Sequence, residues 1–177
     1  KQLNHFVDIK IKGNNIIERL YAEHLPVPFL SLFIDDCIAN GKDYNDGGAR
    51  YNTSYIQGVG LGTITDSLVA IKYNVFDEKS ISMGELLKAL RMNFQGHEIL
   101  RQRLLNKTPK YGNDEDYAYQ VMKAVFEAYY NAIDGKPNIK GGHYRINLLP
   151  TTVHIYFGKR VGATPDGRKA GEPLSEG

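Results

Sequence analysis

A glycine run, a scatter of carboxylates, five histidines and one cysteine hold most of the reactive chemistry of this 177-residue chain. The run Gly58-Val59-Gly60-Leu61-Gly62-Thr63 stands between strand-forming residues and an apolar helix, the position of a dinucleotide loop. Its spacing is G-x-G-x-G, not G-x-G-x-x-G, and no βαβ unit with a ribose-binding carboxylate follows. Close backbone packing is therefore a better reading of these glycines than cofactor binding. The histidines have no metal-ligand spacing. His97-Glu98 lacks the second histidine that a zinc-binding helix needs, and no Cys/His cluster exists, so no metal site is expected.

Asp35, Asp36, Asp43 and Asp46 crowd one region without the spacing of a calcium loop, which leaves them as capping or solvated carboxylates. Asp66 follows a glycine turn and stands near the start of a helix, where it can satisfy free backbone donors; substrate contact is the alternative. Arg50-Tyr51-Asn52 reads as a structural polar run beside Gly47-Gly48. His154 reads as a hydrogen-bonded structural histidine. Cys37, among Phe33, Ile34 and Ile38, reads as a small hydrophobe on a partly buried helix. Function is most credible in Leu149-Pro150-Thr151-Thr152, where a strand ending at a proline directs its last side chains into a pocket. A packed strand end would use the same residues.

Three longer runs carry more information: GGARYNTSYIQGVGLGTITDSLVAIKYNVFD from Gly47 to Asp77, LLPTTVHIYFG from Leu148 to Gly158, and GATPDGRKAGEPLSEG from Gly162 to Gly177. On these the chain resembles the glycyl radical enzymes, the family of pyruvate formate-lyase, along essentially its whole length. The wording is nearest to members that dehydrate hydroxyproline. The resemblance implies a ten-stranded α/β barrel with outer helices, residues 1–177 forming part of it and the glycyl radical domain being absent. It implies a lyase that removes water from a small hydroxylated substrate such as trans-4-hydroxy-L-proline. In that reaction a glycyl radical converts a cysteine to a thiyl, and a carboxylate of a GCxE run assists proton movement. A radical SAM activase installs the radical, in an anaerobic cytoplasm, and a homodimeric parent is a further expectation. Carried over residue by residue, Leu149 and Thr151 line the substrate cavity.

Neither radical residue has a counterpart here. No RVxGY-like run occurs, since Arg160-Val161-Gly162 is followed by Ala163-Thr164, and Cys37 sits in IDDCIANG and not in GCxE. The expectation is an internal piece of a longer enzyme, inactive alone, with no catalytic residue and no cofactor of its own. Another glycyl radical lyase (a diol dehydratase, or a C–C or C–N lyase) and a non-catalytic helical interaction module are the alternatives.

The bulk numbers suit one ordinary soluble domain: 42% hydrophobic and 24% charged residues. A net charge of +2 with basic and acidic residues interspersed gives no nucleic-acid footprint. No apolar run is long enough for a membrane span. One cysteine excludes an internal disulfide.

The elements that must position these residues follow from periodicity and punctuation. Apolar spacings of three and four predict a helix over 3–24, with Gly13 as a break or close-packing point, ended by Pro26 and Pro28. Residues 29–40 predict a short helix capped by Gly41. A strand is expected over 55–61, then a helix carrying Ser67 to Asn74 with Thr63 or Thr65 as N-cap. Ser82 and Glu85 stand in capping-box register before a helix to Phe94, and 97–106 continues helical. Residues 106–113 predict a loop. An acidic first turn and an apolar stripe predict a helix over 114–133, closed by Gly135. Residues 144–149 and 153–157 are candidate strands. Pattern alone gives an α/β, helix-rich class.

Overall fold

The computed structural model describes residues 1–149 and 151–176. Among these the chain forms eight α-helices and two short strands. In order they are α1 (Gln2–His24), α2 (Pro28–Ser31), α3 (Cys37–Asn40), β1 (Ser54–Gln57), α4 (Leu61–Ile71), α5 (Met83–Arg91), α6 (Glu98–Asn106), α7 (Asp116–Ile133), β2 (Tyr144–Asn147) and α8 (Val153–Gly158). A 3-10 turn covers Tyr44–Asp46, and α4 runs on into a π-helical turn, Lys72–Asp77. The chain divides into two compact units, one of Lys1–Ile56 with Ala128–Asn147, the other of Gln57–Glu127 with Leu148–Gly177.

The first unit is built on the two-stranded parallel sheet β1-β2. β1 alternates in burial, with Ser54 and Ile56 turned inward as the two-residue period of a strand requires. Ile56, Val7 of α1, Ala132 and Ile133 of α7, and Tyr144 of β2 form its core. Two tyrosines anchor that core at their polar ends: Tyr144 donates to Asn15 Oδ1 at 2.8 Å, and Tyr129 donates to the Ile56 carbonyl at 2.8 Å. Burial pushes both phenols up to about 12. α1 runs unbroken through Gly13, and a Cβ there would meet nothing within 4 Å. Gly13 is therefore not a break, and no element among the described residues packs closely on it.

The single short helix expected over 29–40 is two. Pro28 opens α2 at its first turn, where the missing N–H costs nothing. Asp36, at φ +76°, interrupts the helical path before α3. Gly41 closes α3 in the left-handed conformation foreseen for it.

In the second unit, Ala70, Leu86, Ala89, Phe94 and Leu104 pack α4, α5 and α6 together. α5 begins with the capping box read from sequence: Glu85 N–H donates to Ser82 Oγ at 3.1 Å, and Ser82 N–H to Glu85 Oε2 at 2.8 Å. α4 starts differently from its expectation. Gly60, at φ +84°, is the N-cap, and Thr63 and Thr65 lie inside the helix, buried. Asn74 in the π-helical turn is fully buried and bonds Ala70 O at 3.0 Å, Thr108 Oγ1 at 2.9 Å and Arg103 Nε at 3.3 Å.

Residues 153–157, expected as a strand, form α8. Helical register sets His154 and Gly158 on one face, one turn apart, against the tail at Glu172 to Leu174. A Cβ at Gly158 would lie 2.2 Å from the Glu172 carbonyl oxygen, so the helix and tail meet backbone to backbone. That contact overrides the β-branched and aromatic composition of the segment.

Candidate functional site

The two glycine-rich stretches meet. A Cβ at Gly60 would stand 3.3 Å from Leu174, and one at Gly62 would stand 3.0 Å from Ser175. Thr63 N–H donates to Ser175 Oγ at 2.7 Å, and Ser175 N–H donates to Thr63 Oγ1 at 2.8 Å. The close-packing reading of the G-x-G-x-G run thus holds at Gly60 and Gly62. Beside the contact lies an open cavity of about 460 Å³ lined by Thr63, Asp66, Tyr111, Asp166, Ser175 and Glu176.

Arg168 gathers the tail's own main chain around one guanidinium. Arg168 is buried, and its guanidinium donates to Thr164 Oγ1 at 3.1 Å and to the carbonyls of Lys169 at 3.0 Å, Glu172 at 2.6 Å, Val161 at 3.3 Å and Gly162. Arg101 Nε reaches the Gly167 carbonyl at 2.9 Å, and Lys110 Nζ the Asp166 carbonyl at 3.1 Å. Sequence reading missed Arg168, whose partners are all backbone carbonyls save one hydroxyl and so leave no side-chain pattern.

Asp66 accepts the Tyr111 N–H at 2.8 Å and lies 3.9 Å from Lys110 Nζ. It does satisfy a free backbone donor, but one on a loop 45 residues away, not on its own helix. Burial raises its pKa, against the lowering effects of the Tyr111 N–H and Lys110.

Leu149 and Thr151 flank Pro150, which lies outside the described residues. Leu149 is 58% exposed, and Thr151 is exposed as well. Thr151 and Thr152 take φ +44° and +68°, and Thr152 is the N-cap of α8. Two successive β-branched residues in the left-handed region form a strained turn, of the kind that functional sites retain. His154, two residues on, is 9% exposed; its Nε2 lies 3.9 Å from Glu176 Oε2, and among the described residues its buried Nδ1 has no hydrogen-bond partner. The hydrogen-bonded structural histidine read from the sequence is thus only half right, since its backbone carbonyl, not its Nδ1, takes the bond, from Leu174 N–H at 3.1 Å.

The remaining candidates are structural. Arg50 lies 3.4 Å from Asp35 and forks onto Asp36 with two bonds of 2.9 Å, and that fork holds the Asp36 carboxyl below its usual range. Asp43 accepts from Asn45 N–H at 2.9 Å, Val27 N–H at 2.9 Å and Ser31 Oγ at 2.8 Å. Burial opposes its ionisation, but these donors outweigh it and keep its pKa low. Asn52 donates to the Gly47 and Ala49 carbonyls. Cys37 is 2% exposed, and burial pushes its thiol up, with Asp43 and Asp36 adding to the effect. Among the described residues no group of three or more His, Cys, Asp or Glu side chains could hold a metal ion, and no helix is long and apolar enough to cross a membrane.

The family model described as pyruvate formate lyase-like matches residues 1–158. The chain is 59% identical over 177 residues to trans-4-hydroxy-L-proline dehydratase of Clostridioides difficile, covering all of this chain and 22% of that protein. It is 39% identical to (2S)-3-sulfopropanediol dehydratase of Klebsiella oxytoca, over 99% of this chain and 21% of that one. Its fold superposes with a TM-score of 0.97 on the crystal structure of the C. difficile hydroxyproline dehydratase with trans-4-hydroxy-L-proline bound, over 99% of this chain and 22% of that chain. The glycerol-bound B12-independent glycerol dehydratase of Clostridium butyricum gives a TM-score of 0.93 at 42% identity, again over 99% of this chain and 22% of that one. The chain therefore spans about a fifth of the length of the proteins it matches.

Proposed function

Since this chain belongs to the pyruvate formate lyase-like family, we propose that it forms part of the barrel domain of a glycyl radical dehydratase acting on trans-4-hydroxy-L-proline. The observation that carries this reading is the identity of 59% over the whole chain to a hydroxyproline dehydratase, against 39% and 42% to dehydratases of open-chain diols and glycerol. In this reading β1 and β2 are strands of the ten-stranded barrel. Leu149 and Thr151 line the substrate cavity, the leucine against the apolar ring and the threonine hydroxyl toward a polar group. Their exposure and the strained turn at Thr151 and Thr152 support that role. Radical chemistry is supplied from outside these 177 residues, by a glycyl radical that a radical SAM activase installs. What this chain contributes is binding surface, rigidity and exclusion of solvent. The partners are the remainder of the enzyme and the activase, in an anaerobic cytoplasm, with the enzyme a homodimer.

A second reading is a dehydratase of small diols, favoured by the fold match to the glycerol-bound enzyme. The two separate in one assay. The full-length polypeptide, activated anaerobically, is offered trans-4-hydroxy-L-proline, glycerol and 1,2-propanediol, and products are quantified by mass spectrometry. Turnover of hydroxyproline alone supports the first reading, and preferential turnover of a diol replaces it with the second. The 177-residue chain, run in parallel, is expected to give no product.

A further inference from the structure

α1 has two apolar faces, and only one of them is covered by the described residues. Val7 and Ile11 point into the core of the first unit, and on the same side Glu18 accepts from the Ser54 hydroxyl and Asn15 from Tyr144. At about 100° per residue, Phe6, Ile9, Ile16, Ile17 and Leu20 fall on a different side, within roughly 60° of Gly13 in either direction. All five are exposed, Phe6 by 64% and Ile16 by 62%. Gly13 is the centre of this stripe, and the space over it is open.

Glycine is the most unfavourable residue inside a helix after proline. Here it satisfies no turn, no positive φ and no contact within the described residues. A glycine at the middle of an apolar stripe does one thing well: it lets another backbone come close, with the flanking side chains interlocking around the crossing. An apolar surface of this continuity on a soluble protein marks a buried contact.

We propose that this face of α1 is covered by an apolar helix from the remainder of the same polypeptide, crossing at Gly13. The proposal rests on the reading of this chain as part of a longer enzyme. What favours that occupant over a second copy is length: the hydroxyproline dehydratase whose fold this chain matches at TM-score 0.97 carries nearly four-fifths of its polypeptide outside the matched part.

The test reads stability and mass, not turnover, so its failure is separate from failure of the substrate assignment. In the full-length polypeptide, Gly13→Ala and Gly13→Leu are compared with the unaltered protein by thermal unfolding and sedimentation equilibrium. The expected result is a fall in Tm of several degrees for alanine and a larger fall, or loss of folded protein, for leucine, with unchanged mass. A bare helix face forecasts the opposite sign, because alanine outranks glycine in helix propensity. A rise in Tm for Gly13→Ala overturns the proposal. A fall in Tm accompanied by conversion of dimer to monomer also overturns it, and identifies a second copy as the occupant.

Discussion

Thr63 and Ser175 cap one another across 112 residues of sequence, each giving its backbone N–H to the other's hydroxyl, at 2.7 and 2.8 Å. The pair fastens the tail to the first turn of α4, and a Cβ on Gly62 would press on Ser175 at 3.0 Å.

Removing either hydroxyl leaves a partly buried N–H without its acceptor. Ser175→Ala and Thr63→Val are each expected to cost about 1–3 kcal/mol, read from urea denaturation of the full-length protein. The double variant should cost less than the sum of the two, because the interactions share one contact. Full additivity would show that the two bonds do not act as a unit.

Asp66 gives a prediction in pH. Its folded-state pKa lies above the ordinary carboxylate value, so the folded form holds its proton longer than the unfolded form does. The stabilising share of that proton is complete below the unfolded pKa and is lost as pH rises through the folded one. Asp66→Asn keeps an acceptor for Tyr111 N–H and removes the buried charge. It should match or exceed the parent in stability at pH 7, and the fall in stability just above the usual aspartate range should flatten. A variant less stable at pH 7 with an unchanged pH profile would show that the Lys110 contact outweighs the burial of the charge.

Thr151→Val keeps the β-branch, and with it the strain at φ +44°, while deleting the hydroxyl. If that hydroxyl bonds the substrate, a loss of about 0.5–1.5 kcal/mol appears as a drop of roughly 2- to 13-fold in kcat/KM, with Tm unchanged. If the hydroxyl serves the fold, Tm falls and kinetics hold. Both are measured on the one full-length variant.

Cys37 is expected to be inert. Cys37→Ala in the full-length enzyme should keep activity within a few-fold and cost about 1 kcal/mol, as loss of one small buried group does. The native thiol should resist iodoacetamide until the protein is unfolded, given its burial and raised pKa. Complete loss of turnover with the fold intact would place Cys37 in the mechanism.

Local chemistry was legible in the sequence, and distant contacts were not. Ser82 and Glu85 are three residues apart, and their reciprocal caps follow from that spacing alone. Gly41 likewise announces its own left-handed turn. Neither Thr63 nor Thr65, the two caps that position suggests, caps α4; Gly60 does, and Thr63's partner stands at Ser175. Position marks Asp66 as a backbone acceptor but does not identify Tyr111 as the donor. The segment 153–157 has strand composition, and only the backbone contact at Gly158 and Glu172 explains why it is a helix. Leu149 and Thr151 are exposed, and the groups they would meet are not part of the local pattern.

Arg168 sets an uneven tolerance for change along the tail. Four of its five acceptors are main-chain carbonyls, at Val161, Gly162, Lys169 and Glu172, which any amino acid at those positions would present. Side chains there can drift with little effect on this knot, provided the backbone keeps its path. The position of the arginine itself has no such latitude. Lysine offers three donors from one point where a planar fork is needed, and could not reach carbonyls spread on several sides. A saturation library would then show broad acceptance at Val161, Gly162, Lys169 and Glu172, whose main chain is grasped, and a narrow column at Arg168, which grasps; Gly167 is narrow for a different reason, its φ of +98° and a Cβ that would meet Leu105 at 2.8 Å.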